Sequence, residues 1–274
     1  MVPSPKPYMD DHPRVLDVFE EIYKERNRPE FIHPDPLEFV SRFDDPDNQE
    51  VAGMIASALA FGRVGHILKN LETVFRILRN PASDLQEMSR EDLKHAFGSF
   101  RHRWSSGGEL ADLLFGIRSI RGDYGSLENF FVSKVRKEHR DVVMPLAGFV
   151  DGLKNASGNE SSSLLPCPTM GSACKRLMLY LRWMVRKDEV DPGPWTGISP
   201  SILVVPMDTH MFRVSRALGL TTRRQADLKC ALEVTSFFRS LVPMDPVRYD
   251  FALTRAGIRN EGGVDGILER FSWK

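Results

Sequence analysis

A chain of 274 residues is long enough to bury a sizeable core, and it suits one large domain or two small ones. Its 42% hydrophobic and 27% charged residues are ordinary for a globular protein, and no apolar run approaches the roughly 20 residues that a membrane helix needs, so no membrane partner is expected. Thirty-seven basic residues balance 37 acidic ones, so net charge offers no global argument for nucleic acid.

The N-terminus has Pro3, Pro5, Asp10 and Asp11 where an export signal needs a basic patch and an apolar core, so no export is expected. Cys167, Cys174 and Cys230 are odd in number and widely spaced. They make neither a disulfide framework nor a metal knuckle, which fits a reducing cytoplasm. Charge is unevenly spread: residues 1–50 hold 13 acidic and 6 basic side chains, and residues 171–224 hold 4 acidic and 9 basic. That asymmetry allows one basic face on a neutral protein, although charge clusters are more often plain solvated surface.

Helical spacing dominates the chain. Val15, Leu16, Phe19, Ile22 and Tyr23 mark a helix over 13–27, and the Asp35-Pro36 and Asp45-Pro46 pairs read as caps opening two more. Small residues between Gly53 and Gly62 allow close approach by another helix, and Gly62 is the natural stop. A further amphipathic helix over 63–78 closes at Asn80-Pro81, and others cover 89–97 and 108–121, with an aromatic and basic loop at Phe100–Ser105 between them. Helices capped by Ser126 and spanning 141–154 precede a polar loop at 155–163. Residues 223–240 and a segment opened by Asp245-Pro246 are helical, and 258–274 reads as a surface tail. The only β-like run is Ile202–Val205. The fold class is all-α, an irregular orthogonal bundle of many short helices.

The chemistry concentrates between Leu164 and Arg216. On a helix from Gly171 to about Asp188, Lys175, Arg182 and Arg186 share one stripe, opposite an apolar face of Leu177, Leu181, Met184 and Val185. A solvated basic face is the plain reading. The functional reading draws on position, because Lys175 lies in the first turn, where the helix dipole favours the neutral, nucleophilic amine. Asp208 precedes another helix and reads as its N-cap, which would hold a carboxylate rigid and ionised. His210 reads as an ordinary helix-surface histidine.

These residues carry a resemblance. Gly171 to Lys175, followed by Val205-Pro206-Met207-Asp208-Thr209-His210-Met211-Phe212-Arg213-Val214, resembles the helix-hairpin-helix DNA glycosylase superfamily, with the looser likeness extending over about 45–258. The long connection of 33 positions between Lys175 and Asp208 is similar to the archaeal 8-oxoguanine glycosylase branch. The segment from Cys174 to Trp195 also resembles an uncharacterised bacterial family related to the glycosylases. The resemblance implies acidic N-terminal helices at 1–44, a glycosylase-like domain at 45–258 with two helical lobes around a cleft, and a tail at 259–274. It implies a monomeric base-excision enzyme acting on duplex DNA with an oxidised purine such as 8-oxoguanine. Lys175 would attack the sugar and Asp208 would assist, with AP-lyase activity through a Schiff base.

Under that resemblance Trp104, Ser105, Trp195, Phe61 and Asp250 are candidates for the flipped base, and Gly171, Arg176, Arg182, Arg186, His210 and Arg213 for DNA. For Phe61 a core role competes with stacking, and for Asp250 a surface or capping role competes with base reading. The hairpin, near 164–176, departs from the pattern, with Ala173 in place of the second glycine. No four-cysteine loop follows, so neither an iron–sulfur cluster nor any other cofactor or metal is expected. The degraded hairpin and zero net charge leave open a non-catalytic nucleic-acid-binding protein that retains the fold. A metal hydrolase built on Asp208 and His210 has only an Asp-x-His spacing behind it.

Overall fold

The computed structural model describes residues 12–259 and 262–271. Residues 1–11 of the expected N-terminal unit and 260, 261 and 272–274 of the expected tail lie outside them. The described residues are all-α, as the periodicity predicts: fourteen helices and one pair of two-residue strands.

The chain begins with α1 (His12–Arg26) and the short α2 (Leu37–Val40), then α3 (Pro46–Ala58). The Asp45 carboxylate accepts the Asn48 amide at 3.0 Å, and Pro46 fills a position whose N–H would have no helical partner. Next come α4 (Val64–Ile77), α5 (Pro81–Glu87) and α6 (Arg90–Phe97). Asn80-Pro81 ends one helix, as expected, but Pro81 also starts the next, for the same reason as Pro46. The expected loop at Phe100–Ser105 folds into an antiparallel pair, β1 (Arg101–His102) and β2 (Ser105–Ser106). Beyond it lie α7 (Gly107–Tyr124), α8 (Leu127–Val132) and α9 (Val143–Ser157). The C-terminal half holds α10 (Lys175–Val185), α11 (Thr209–Leu218), α12 (Leu228–Leu241), α13 (Asp250–Ile258) and α14 (Gly263–Arg270).

Two expectations are corrected. The apolar run Ile202–Val205 is no strand: a 3-10 turn at Pro200–Ile202 runs into extended chain whose Val205 amide bonds the Thr235 hydroxyl at 3.0 Å. The expected surface tail contains α14, with Ile267 and Phe271 both buried. Phe271 packs edge-on against Phe19 of α1 at 5.1 Å, so the apolar residues near the C-terminus pull the segment into the core.

Packing explains the order. Helix α7 is surrounded by α6, α8 and α9, while α13 gathers α1, α11 and α14. Helix α10 lies along α3, where a methyl group at Gly53 would stand 2.7 Å from Met184 Cε. The small-residue run therefore does admit a neighbour.

A buried ion network ties these groups together. Asp191, fully buried in the loop after α10, accepts hydrogen bonds from both Arg182, at 3.2 Å, and Arg186. Arg186 also reaches Asp188, at 2.8 Å, and Asp245, at 2.9 Å, while Arg182 pairs with Asp250 at the start of α13. Tyr23 of α1 donates to Asp188 at 2.9 Å. A second buried carboxylate, Glu50, takes Arg121, the amides of Leu127 and Glu128, and the Trp195 indole N–H at 2.9 Å.

Removing one member of such a network strands its partners without water. Asp191→Ala is expected to lower the unfolding free energy by about 3–5 kcal/mol in urea titrations. A loss under about 1 kcal/mol would show that the two arginines find other partners.

Candidate active site

Two helix N-termini meet at the centre of the C-terminal half. Helix α10 starts at Lys175, directly after Cys174, whose left-handed backbone (φ 45°) is a conformation that non-glycine residues avoid. Helix α11 is capped by Asp208, whose Oδ1 accepts the Met211 amide at 2.8 Å. The other oxygen, Oδ2, lies 3.9 Å from Lys175 Nζ. The two side chains are 34% and 18% exposed, so they are sheltered yet reachable. The amine and carboxylate that the sequence separates by 33 positions converge.

Both border a cavity of about 550 Å³. Its walls come from residues 34–36, from Ala60 to Ile67 at the end of the α3–α4 connection and the start of α4, from one face of α10, from Pro206–His210, and from α13. Asp250 lies at the buried end, 3% exposed. One of its oxygens meets Arg182, and the other has no hydrogen-bond partner among the described residues. Burial pushes the Asp250 carboxyl up to about 6; Arg182 pulls it down and the charge of Asp208 adds to the rise. Arg255, also lining the cavity, pairs with Asp35 at 2.7 Å. His210 lines the cavity with its ring against α13, where a methyl group at Gly257 would stand 2.5 Å from Nδ1.

Phe61 forms part of the wall. The Arg176 guanidinium lies over its ring at 4.7 Å, and Trp104 stacks on it at 5.0 Å and 29°. The His102 ring meets it edge-on at 4.4 Å. Asn70 donates to His102 Nδ1 at 2.7 Å, so Nε2 carries the proton and donates to the Phe61 carbonyl at 2.9 Å. Burial lowers the His102 pKa, which keeps this neutral tautomer.

Several expected roles are corrected. Arg182 and Arg186 do not form a solvated basic stripe and are not open to phosphate; each is 3% exposed and committed to carboxylates. Helix α10 is apolar around most of its circumference, so its arginines are drawn inside with it. Arg176 donates to the carbonyls of Ala58 and Ser163, both at 2.6 Å, and burial lowers its pKa to about 10. It ties loops together rather than facing DNA. Ser105 is fully buried and bonded to Ser163 at 3.0 Å, which removes it from any base. Trp195 is a core residue, 4% exposed and set edge-on to Tyr180. Gly171 is exposed in a left-handed turn, but its N–H is already bonded to the Pro168 carbonyl at 3.1 Å. Lys175, Asp208, Phe61, Asp250 and His210 come together; Trp104 stands just outside the cavity, and Arg213 is exposed on α11.

As sequence, Asp35 shows only a capping role and Arg255 and Asp191 show none, although all three belong to the site or its support. For Asp191 a signal exists, since an all-round apolar helix bearing two arginines demands buried carboxylates nearby. For Asp35 and Arg255, 220 positions apart, none does.

The chain belongs to the family described as a protein of unknown function, DUF2400, whose model matches residues 35–259. No curated protein and no solved structure matches the chain.

The position of Asp250 gives a pH signature. An acid whose pKa is raised in the folded state stabilises the fold below its unfolded pKa and loses that contribution as pH rises through the folded value. The stability advantage of wild type over Asp250→Asn is therefore expected to decline between its ordinary value of 3.8 and about 6, read from urea midpoints at each pH. A difference that stays flat across this window would place the titration elsewhere.

Proposed function

We propose that this protein is a DNA base-excision glycosylase with AP-lyase activity, acting on an oxidised purine such as 8-oxoguanine in duplex DNA. The observation that carries the reading is the Lys175–Asp208 pair, an amine 3.9 Å from a capped carboxylate at the edge of a cavity of about 550 Å³. A cavity of that size falls within the usual range for small-molecule and base pockets.

The chemistry follows from the groups present. A base within a duplex is out of reach, so the target nucleotide swings out at a cost of a few kcal/mol, least for a damaged pair. Asp208 takes a proton from the Lys175 ammonium, and the freed Nζ lone pair forms a bond to C1′ as the bond from C1′ to the base breaks. The base leaves with that electron pair and takes up a proton. Opening of the sugar at O4′ gives an imine on Nζ, and loss of a C2′ proton then expels the 3′ phosphate. Asp208 also stabilises the cationic sugar as it develops, and its capping bond to the Met211 amide holds it in place without reorganisation.

Asp250 and Arg182 support base recognition. A buried carboxylate oxygen without a partner accepts N–H groups, and oxidised purines present an extra N–H on the imidazole edge. Arg213, exposed on α11, is the remaining candidate of the central stretch for phosphate contact.

The test is borohydride trapping on an 8-oxoguanine duplex and on an abasic-site duplex. Wild type is expected to give a covalent adduct that Lys175→Gln does not form. Asp208→Asn should slow adduct formation by about a hundredfold or more in single-turnover assays. Absence of an adduct on both duplexes, with binding intact, would overturn the lyase reading. The reading of a nucleic-acid-binding protein without excision activity, or of an enzyme that forms no imine, would then replace it.

A further inference from the structure

We infer that the β1–β2 hairpin and the first half of α4 form a binding surface for an unpaired polynucleotide strand, with Trp104 as the platform on which one of its bases stacks. Trp104 is 64% exposed, which is unusual for so large an apolar side chain. It sits at the hairpin tip, in a two-residue connection whose first member, Arg103, has a φ of 56°. Both strands are locked from behind. His102 is held by Asn70 and the Phe61 carbonyl, and Ser105 is buried against Ser163. The indole itself rests on Phe61. A ring fixed in this way loses little conformational freedom when a base stacks on it.

The charges around it are of one sign. Arg63 at the cap of α4, Lys69 on that helix, and Arg101 and Arg103 on the hairpin are all exposed. Among the described residues none of the four is within ion-pair distance of a carboxylate. Asn70 donates to the Arg101 carbonyl at 3.2 Å, so helix and hairpin form one ridge. The α4 carboxylate, Glu72, is engaged by Arg42 at 2.9 Å. The Arg103 guanidinium lies over the indole at 4.6 Å, a contact that a stacked base can replace while Arg103 turns to phosphate.

The occupant follows from geometry and charge. Exposed cations grouped on one surface recognise a phosphate backbone, paired or not. An exposed indole adds something only where a base face is bare, and in a duplex each base is covered on both faces by its neighbours. The surface adjoins the cavity through Phe61 and Gly62 but uses neither Lys175 nor Asp208, so it goes beyond the excision reading and stands apart from it.

Fluorescence anisotropy with a short labelled oligo-dT, the matching oligo-rU and a duplex of equal length tests it. Trp104→Ala is expected to weaken single-strand binding by about tenfold, with Trp104→Phe recovering most of the loss and duplex binding changing less than about twofold. Arg63→Ser combined with Arg101→Ser should flatten the dependence of single-strand affinity on salt, because fewer counterions are released. The dT and rU arms show which sugar the surface accepts. Single-strand binding by Trp104→Ala within about twofold of wild type would overturn the inference. So would a loss of duplex affinity equal to the single-strand loss. Imine formation is read separately through Lys175, so failure of either idea leaves the other decidable.

Discussion

The rest of the molecule depends on Asp191 holding two arginines inside the protein. Removing a cation from water costs several kcal/mol, and only well-aligned carboxylates recover it. Arg182 and Arg186 lie on the helix that begins with Lys175, and their partners come from the following loop, from the approach to α13 and from α13 itself. The long connection between Lys175 and Asp208 is thus a structural strut. It carries Asp191 into the core against the arginines of α10, and Trp195 onto Glu50 of α3, 145 positions away.

This arrangement places charge around the cavity with little freedom. Asp250 is both the terminus of the ion network and part of the cavity wall, so electrostatics at the buried end are coupled to the packing of α10 on α13. Lys175 and Asp208 at the rim are each fixed by a helix start, one after a strained residue and the other by its own capping bond. Groups presented from helix termini move less than groups on loops, a requirement for any site that must hold reacting atoms within a fraction of an ångström.

Much of this was legible from residue order. Helical periodicity and Asp-Pro and serine caps are local, and α1, α3, α4 and α7 fall close to where those signals put them. The convergence of Lys175 and Asp208 was legible through their motifs. The direction in which arginines point was not: a stripe of Arg182 and Arg186 looks the same whether water or carboxylates face it, and the answer lay in Asp191 and Asp250. Ser105 and Trp195 misled for a related reason. Each has a polar atom that a ligand could use, and each spends it on a partner far along the chain, Ser163 or Glu50. The hairpin at Trp104 was hidden because four strand residues carry no usable period.

The contact between His210 and Gly257 bears on how the site tolerates change. A methyl group at position 257 of α13 would stand 2.5 Å from His210 Nδ1, so the imidazole rests where a side chain at 257 would go. His210 stands two residues beyond Asp208 and lines the same cavity, so a larger residue at 257 would turn the imidazole and reshape the wall beside the carboxylate. Position 257 thus sets the place of a cavity-wall imidazole by having no side chain, and altering it would change the wall while leaving both reactive groups unchanged.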